Sequence, residues 1–432
     1  MLRKPVLCRF AALFSLSILF ARAARCGENW TSYRGPTDQG HCDSPRPPLR
    51  WSERENVVWK TAISGKAWSS PVIWGDRIWL TTAPEDGREL LAISLDKNSG
   101  KIVFNRRLRS VAEPQYCIPF NSYASPSPVI EEGRVYVSFG SPYNACLDSK
   151  TGEVIWERTD FVCNHFRGAG SSPFLYKDLL ILHFDGSDRQ YVVALDKRNG
   201  KTLWKTDRTM DFQDLDPKTG KPMIDGDFRK AFSTPVIADV RGRPVLISLG
   251  SMALYGYDPD TGKELWRVDS VGSHSGAGRP VTGHGLVFSP LGHTAGVWAV
   301  RPDGHGAVTD SHVVWKYSRA SPKRSSMLLV GDWLFLVDAA GVAACLEAKT
   351  GKELWKERLG GNYSASPIHA AGRIYFFDEN GKSTVIEAAP KFRTLAVNRL
   401  DDGFMASPAV SGNALYLRTK KALYRIEDRS QR

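Results

Sequence analysis

The residues able to do chemistry in this chain fall at two recurring places. One is the stretch running into each Ser-Pro or related dipeptide, as in "CNHFRGAGSSP", "DGDFRKAFSTP", "HSGAGRP", "NYSASP" and "DDGFMASP". These stretches supply His165, Arg167, Asp227, Arg229, His274, Arg279, Asn362, Tyr363, Asp401 and Asp402, with Arg324 added by "KRSS". The other place is the turn two strands later, which adds Asp185, Asp188 and His293. Brought together, Arg167, Arg229 and Arg279 would clamp a carboxylate or phosphate through paired N–H donors. His165 or His274 beside Asp185 or Asp402 would make a general base. The opposing reading is a polar lining whose salt bridges only hold neighbouring elements together. That reading is preferred over catalysis, while ligand or partner binding at the same residues stays open.

Other candidates are weaker. The insertion Met210 to Lys230 carries Asp214, Asp216, Asp225 and Asp227, but their spacing does not match a twelve-residue calcium loop, so a solvated lid is expected. Trp68 would stack on a planar ligand or simply pack in a wall. No zinc-type Cys/His spacing, CxxCH, Gly-x-Ser-x-Gly, Walker or Rossmann pattern occurs, and no metal site is expected.

What must position these residues is a repeat. "DSKTGEVIW", "DKRNGKTLW", "DPDTGKELW" and "EAKTGKELW" end on Trp156, Trp204, Trp266 and Trp355, and a stretched version ends on Trp315. A second marker alternates with the first, at Pro71, Pro128, Pro173, Pro235, Pro280, Met327, Pro367 and Pro408. Each unit reads as four short antiparallel strands with Gly/Asp turns and almost no helical periodicity. One such sheet cannot bury both faces; stacked around an axis, eight can. The expectation is an all-β, eight-bladed β-propeller over residues 56–432, with the recurring indoles as docking residues between blades. The last unit holds only three strands. "NVVWKTAI", with Trp59 in the docking position, is the donor of the fourth, so an N-terminal strand closes the C-terminal blade. Residues 24–55, rich in Gly, Pro and Arg, are expected to lie as a non-repetitive strap on the surface.

Residues 1–23 have the layout of a secretory signal peptide: Arg3, Lys4 and Arg9, an apolar run from Phe10 to Phe20, then Ala21-Arg22-Ala23. The chain is accordingly expected to be exported, periplasmic or extracellular, with no transmembrane anchor in the mature form and monomeric. Its formal charge of +12 is spread without a basic block, which argues against a nucleic-acid groove. Export permits disulfides, and Cys26–Cys42 and Cys117–Cys163 are the loop pairs to test; Cys146 and Cys345 read as buried strand thiols.

The AxDxxTGxxxW pattern resembles the docking motif of quinoprotein (PQQ)-like eight-bladed propellers, and it runs through essentially the whole mature chain. That superfamily includes quinoprotein alcohol dehydrogenases and the non-catalytic BamB-type propeller of outer-membrane β-barrel assembly. The chain is similar also to exported PQQ-like repeat proteins without an assigned role. The dehydrogenases imply PQQ with calcium, held by a Glu, an Asn and a catalytic Asp, often beside a Cys-Cys ring. No Cys-Cys pair is present and no such set maps onto this sequence, so no cofactor is expected. The reading is a non-catalytic binding or scaffold protein that presents its axial loop face to an envelope protein segment or a small polar ligand. The alternative is a PQQ-dependent dehydrogenase, or another enzyme, with its active site at the channel mouth.

Overall fold

The computed structural model describes residues 27–44 and 46–428. Residues 1–26, on which the expected signal peptide and Cys26 fall, lie outside the described residues. Eight antiparallel sheets follow one another along the chain. Blades 1 to 7 comprise residues 72–110, 129–158, 174–207, 236–269, 281–317, 328–358 and 368–399. Blade 8 takes three strands from residues 409–426 and its fourth from Val57–Ala62, which runs antiparallel to Ala422–Ile426 and pairs Lys60 with Tyr424. The ring therefore closes through the N-terminal strand, as the incomplete last repeat requires.

The repeated turn explains how the blades dock. Asp148 accepts hydrogen bonds from the backbone N–H of Lys150 and Thr151, both at 2.8 Å, and Gly152 closes the turn at φ 71°. That positive φ is open to glycine at little cost. The outer-strand tryptophan of one blade then reaches the turn of the next. The indole N–H of Trp156 donates to the Lys197 carbonyl at 3.0 Å, Trp204 to Pro259 at 3.1 Å, Trp315 to Ala348 at 2.9 Å and Trp355 to Ala389 at 3.2 Å. Trp59 makes the same bond across the closure, to Lys97 at 3.1 Å. The ring lies flat on the turn glycine: a Cβ on Gly200 would sit 2.7 Å from Trp156, and one on Gly100 2.5 Å from Trp59. Trp266 is the exception. It is buried, yet its indole N–H has no acceptor, because the turn of blade 5 is stretched. Part of that turn, Gly306–Ala307, instead pairs parallel to the outer strand of blade 4, Glu264–Asp269.

A second ring of bonds lies near the axis, at the residue before each marker proline. The N–H of Ser407 donates to Ser70 Oγ, Ser70 to Ser127, Ser127 to Ser172, Ser172 to Thr234, Arg279 to Ser326, Ser326 to Ser366 and Ser366 to Ser407, at 2.7–3.0 Å. Only the step from blade 4 to blade 5 lacks it, because Arg279 stands there with no hydroxyl. Its guanidinium substitutes, donating from Nε to the Pro235 carbonyl at 2.8 Å.

The middle of the strap leaves the surface for the axis, while Arg50, Arg54 and Glu55 stay exposed. Trp30 and Arg34 are completely buried. Trp30 exchanges backbone hydrogen bonds with Ile73 on the innermost strand of blade 1. Arg34 donates to the carbonyls of Pro367 and Met327, and Gln39 reaches Thr282. His41–Cys42 then runs parallel to the innermost strand of blade 7, Ile368–Ala370. Residues 30–42 thus stopper the axis. Polar composition suggested exposure, but the carbonyl and amide groups of the inner strands give those polar atoms partners. Of the other proposed disulfide, Cys117 and Cys163 are both free thiols, and Cys146 and Cys345 are buried in their strands.

The blade 3–4 interface carries a buried polar cluster. Arg208 and Asp185, with side chains 1% and 2% exposed, form a bidentate pair at 2.9 and 2.8 Å. Lys230 Nζ, fully buried, donates to the Asp185 carbonyl at 2.9 Å. His183 bridges the two blades through Ser233 O and Ser248 Oγ, each at 3.1 Å. Burial, and then the nearby Arg208 charge, hold His183 well below its usual pKa of 6.5; burial and Lys230 do the same to His165.

Two outcomes follow for stability. Trp156→Phe keeps the ring but loses the hydrogen bond and should cost about 1 kcal/mol in urea unfolding. Gly200→Ala should cost more, about 2–4 kcal/mol, through overlap with Trp156 and an unfavourable φ; the reverse order would refute the docking geometry. The second concerns pH. The buried histidines are neutral when folded, whereas the unfolded chain protonates them below pH 6.5. Stability should therefore be full above that pH and fall as pH drops from 6.5 toward 5, by up to about 1.4 kcal/mol per pH unit for each suppressed histidine. His183→Gln should flatten the slope by about one proton's worth, and a wild-type urea midpoint that holds level from pH 7.5 to 5 would rule this out.

Candidate functional site

The loops that lead into the innermost strands converge on one end of the axis and enclose a cavity of about 380 Å³. Its floor is the inner hydroxyl ring together with Tyr33, the deepest residue of the stopper. Trp68, Ile118, Phe120, Phe232 and Met405 form apolar wall. Trp68 is held in place by a bond from its indole N–H to the Phe120 carbonyl at 2.9 Å. Arg167, His293, Lys323 and Arg324 bring basic side chains, and among the described residues no Asp or Glu lines the cavity.

Of the residues drawn from the sequence, Arg167 lines this cavity directly. It is fixed by a bidentate pair with Asp227, both bonds 2.6 Å, which joins the blade 3 loop to the insertion. His274 stands behind, with its ring 5.5 Å from that of His293 and edge-on to Phe228. Burial lowers the pKa of both histidines, so each is biased to the neutral form. Arg324 is held by Glu379 at 3.0 Å.

The remaining residues share the loops but not the cavity. His165 is buried, accepts from the Ser141 N–H at 2.9 Å and faces a separate cavity between blades 1 and 2. Asp185 pairs with Arg208 and not with a histidine. Arg229 is taken up by Asp214 within the insertion, at 2.9 Å. Arg279 bonds Asp38 of the stopper at 2.7 Å, so it anchors the chain's own segment. Tyr363 is packed in the core between blades 6 and 7. Asn362 offers its carbonyl to the Glu379 N–H at 2.8 Å, and Asp402 caps turns through the N–H groups of Gly403 and Lys421. The three arginines named as one clamp are therefore divided among three different carboxylates.

Sequence reasoning missed Arg208 and Lys230, the stopper and the hydroxyl ring. Arg208 follows a fourth strand, where no loop marker draws attention. The hydroxyl ring had a visible signal, the residue before each marker proline, to which no role was given.

PQQ with calcium would need oxygen donors on the axis. Among the described residues no group of three or more His, Cys, Asp or Glu side chains gathers as metal ligands. Asp214 and Asp227 are engaged by arginines, and Asp216 by the N–H groups of Lys218 and Thr219. The cavity residues thus do not fit a calcium-bound quinone. No helix among the described residues is long and apolar enough to cross a membrane.

Comparison with known proteins agrees with this architecture. The family described as outer membrane protein assembly factor BamB matches residues 51–238 and 306–391. The chain is 22% identical over 326 residues to outer membrane protein assembly factor BamB of Shewanella oneidensis, covering 71% of this chain and 75% of that protein. It is 27% identical over 280 residues to a quinoprotein ethanol dehydrogenase of Pseudomonas putida, covering 58% of this chain and 43% of the enzyme. A quinoprotein ethanol dehydrogenase of Pseudomonas aeruginosa matches at 26% over 46% of this chain. The chain spans only 30% and 43% of the length of those two dehydrogenases. Among solved structures, BamB from Moraxella catarrhalis superposes with a TM-score of 0.60 at 12% identity, over 87% of this chain and 98% of that one. A europium-containing methanol dehydrogenase gives 0.64 at 10% identity, over 91% and 90%. These likenesses establish the fold. With eight blades, a repeated indole-to-turn contact and a family match across most of its length, the chain belongs to the PQQ-like, BamB-type family of β-propellers, related to both BamB and the quinoprotein alcohol dehydrogenases.

Proposed function

We propose that the chain is an exported, non-catalytic binding module whose loop-face cavity seats a segment of an envelope protein. One observation carries this: the cavity presents apolar and aromatic wall over a polar floor, while two of its basic groups are tied to carboxylates behind that wall. Arg167 is bound to Asp227 and Arg324 to Glu379, and the histidines behind the wall are biased to neutrality by burial. A catalytic site needs a group whose proton affinity is poised for transfer at a reacting atom. A recognition site needs a concave apolar surface with a few oriented polar groups, which is what the loops build. Closure of the axis from the other end by residues 30–42 makes the cavity a cup with a single mouth.

The matches to quinoprotein dehydrogenases favour a second reading, a quinone-dependent oxidation at the same mouth. The donor set argues against it, since no carboxylate lines the cavity.

Two measurements test the first reading against the second. A photo-crosslinking residue placed at Phe120, 43% exposed at the mouth, should yield one discrete adduct in the cell envelope. The same residue at Val271, 80% exposed, should not. Trp68→Glu, which puts a charge on the apolar wall, should abolish the Phe120 adduct. Equal labelling at both positions would refute the site. PQQ with calcium should leave the thermal midpoint unchanged, because a ligand that binds only the folded state must raise it; a rise of several degrees would restore the dehydrogenase reading.

A further inference from the structure

The floor of the cup has a property that its walls do not explain. Ser70, Ser127, Ser172, Thr234, Ser366 and Ser407 all line it. Each is at most 6% exposed. Each hydroxyl oxygen accepts a backbone N–H from the neighbouring blade, as described for the inner ring. A hydroxyl has one proton to donate as well as lone pairs to offer. Among the described residues, none of the six donates that proton to a protein acceptor. The two remaining blades are excluded from the floor for visible reasons: blade 5 has Arg279 at this position, and Ser326 of blade 6 lies against the Tyr33 hydroxyl at 3.4 Å. Six O–H groups are thus held around one axis, each on an oxygen polarised by an incoming N–H, with no acceptor of the protein's own.

Sign decides what such a floor receives. A cation would require oxygen lone pairs and carboxylates, yet one lone pair of each hydroxyl is already used and no carboxylate lines the cavity. An anion with several acceptor oxygens takes the O–H groups directly, and such charge-assisted bonds are stronger than neutral ones. At the rim, Lys323 is exposed and forms no ion pair with any of the described residues. The geometry points to a carboxylate-binding site on the propeller axis: a carboxylate group on an apolar or aromatic body, its oxygens on the hydroxyl floor and its body against Trp68, Phe120 and Phe232. This rests on the reading of the cavity as a binding site and names the chemistry it selects. Either a free aromatic acid or the terminal carboxylate of a protein segment carries that group.

Calorimetry with matched acids and amides tests it on the intact chain. One arm compares benzoate with benzamide. The other compares a hexapeptide ending in phenylalanine, with a free carboxylate, against the same peptide amidated. At least a tenfold preference for acid over amide is expected, and the arm with the tighter binding identifies the source. Ser127→Ala with Ser366→Ala should remove most of that preference, whereas Ser→Thr at both positions should keep it. Lys323→Met, on an exposed side chain, should weaken the acid several-fold and leave the amide unchanged, which keeps the test open should the double alanine variant fail to fold. Equal affinity for acid and amide in both arms would overturn the carboxylate site while leaving the cup as a binding site. Failure of all four probes to bind would overturn both. A folded double alanine variant with wild-type preference would show that the hydroxyl floor is not the donor.

Discussion

Everything in this molecule depends on each blade meeting the next, and on the last meeting the first. An isolated four-stranded sheet leaves both faces in water. Here, among the described residues, five outer strands send an indole N–H to the turn of the next blade, and seven inner strands send a backbone N–H to a neighbouring hydroxyl. The two rings lie at different radii, so they fix the angle between blades as well as their separation. Each bond alone is worth about 1 kcal/mol. Their effect is collective, because a closed ring cannot open at one interface without straining the others.

The places where the pattern fails are informative. Trp266 reaches no turn because blade 5 carries a stretched one, and that loop covers the edge of blade 4 as a short parallel strand. Arg279 has no hydroxyl to complete the inner ring, and its guanidinium takes over by bonding Pro235 and the stopper's Asp38. Both departures fall at the boundary between blades 4 and 5, one boundary along from the buried Arg208–Asp185 pair of blades 3 and 4. A buried ion pair is strongly destabilising to break when one partner is removed. The blade 3–4 boundary adds such a pair to its indole and hydroxyl bonds, whereas the blade 4–5 boundary is bridged by the Arg279 guanidinium.

The blades were legible because most carry the same turn and a Trp in the same docking position, and the strand missing from the last unit had a visible donor. The stopper was not legible. Its glycines, prolines and arginines are the composition of a surface segment, and only carbonyls brought in from Met327 and Pro367, some three hundred positions away, make burial of Arg34 tolerable. The candidate site was legible as a place but not as a set of contacts. Sequence position puts Tyr363 and His165 in the converging loops, yet neighbouring residues of an irregular loop face different directions, and these two turn into the core. Arg167 could be found because its loop leads straight to the axis. Its partner Asp227 shares only the same end of the axis in the sequence pattern, since nothing in the residue types says that two residues 60 positions apart form one ion pair.

The stopper has a consequence for the order in which the molecule can be assembled. Residues 27–42 and the closing strand are made before any blade, yet their partners are the inner strands of blades distributed around the whole circle. The Glu28 carbonyl waits for Ser411, 383 residues later. During synthesis, therefore, the leading end of the chain has nowhere to settle until the trailing end arrives, and threading the axis and sealing the circumference become one terminal event. Contacts of such long sequence separation impose a large loop-closure cost and slow the search. A chain built this way remains an open arc for most of its biogenesis and becomes a finished vessel only in its last step.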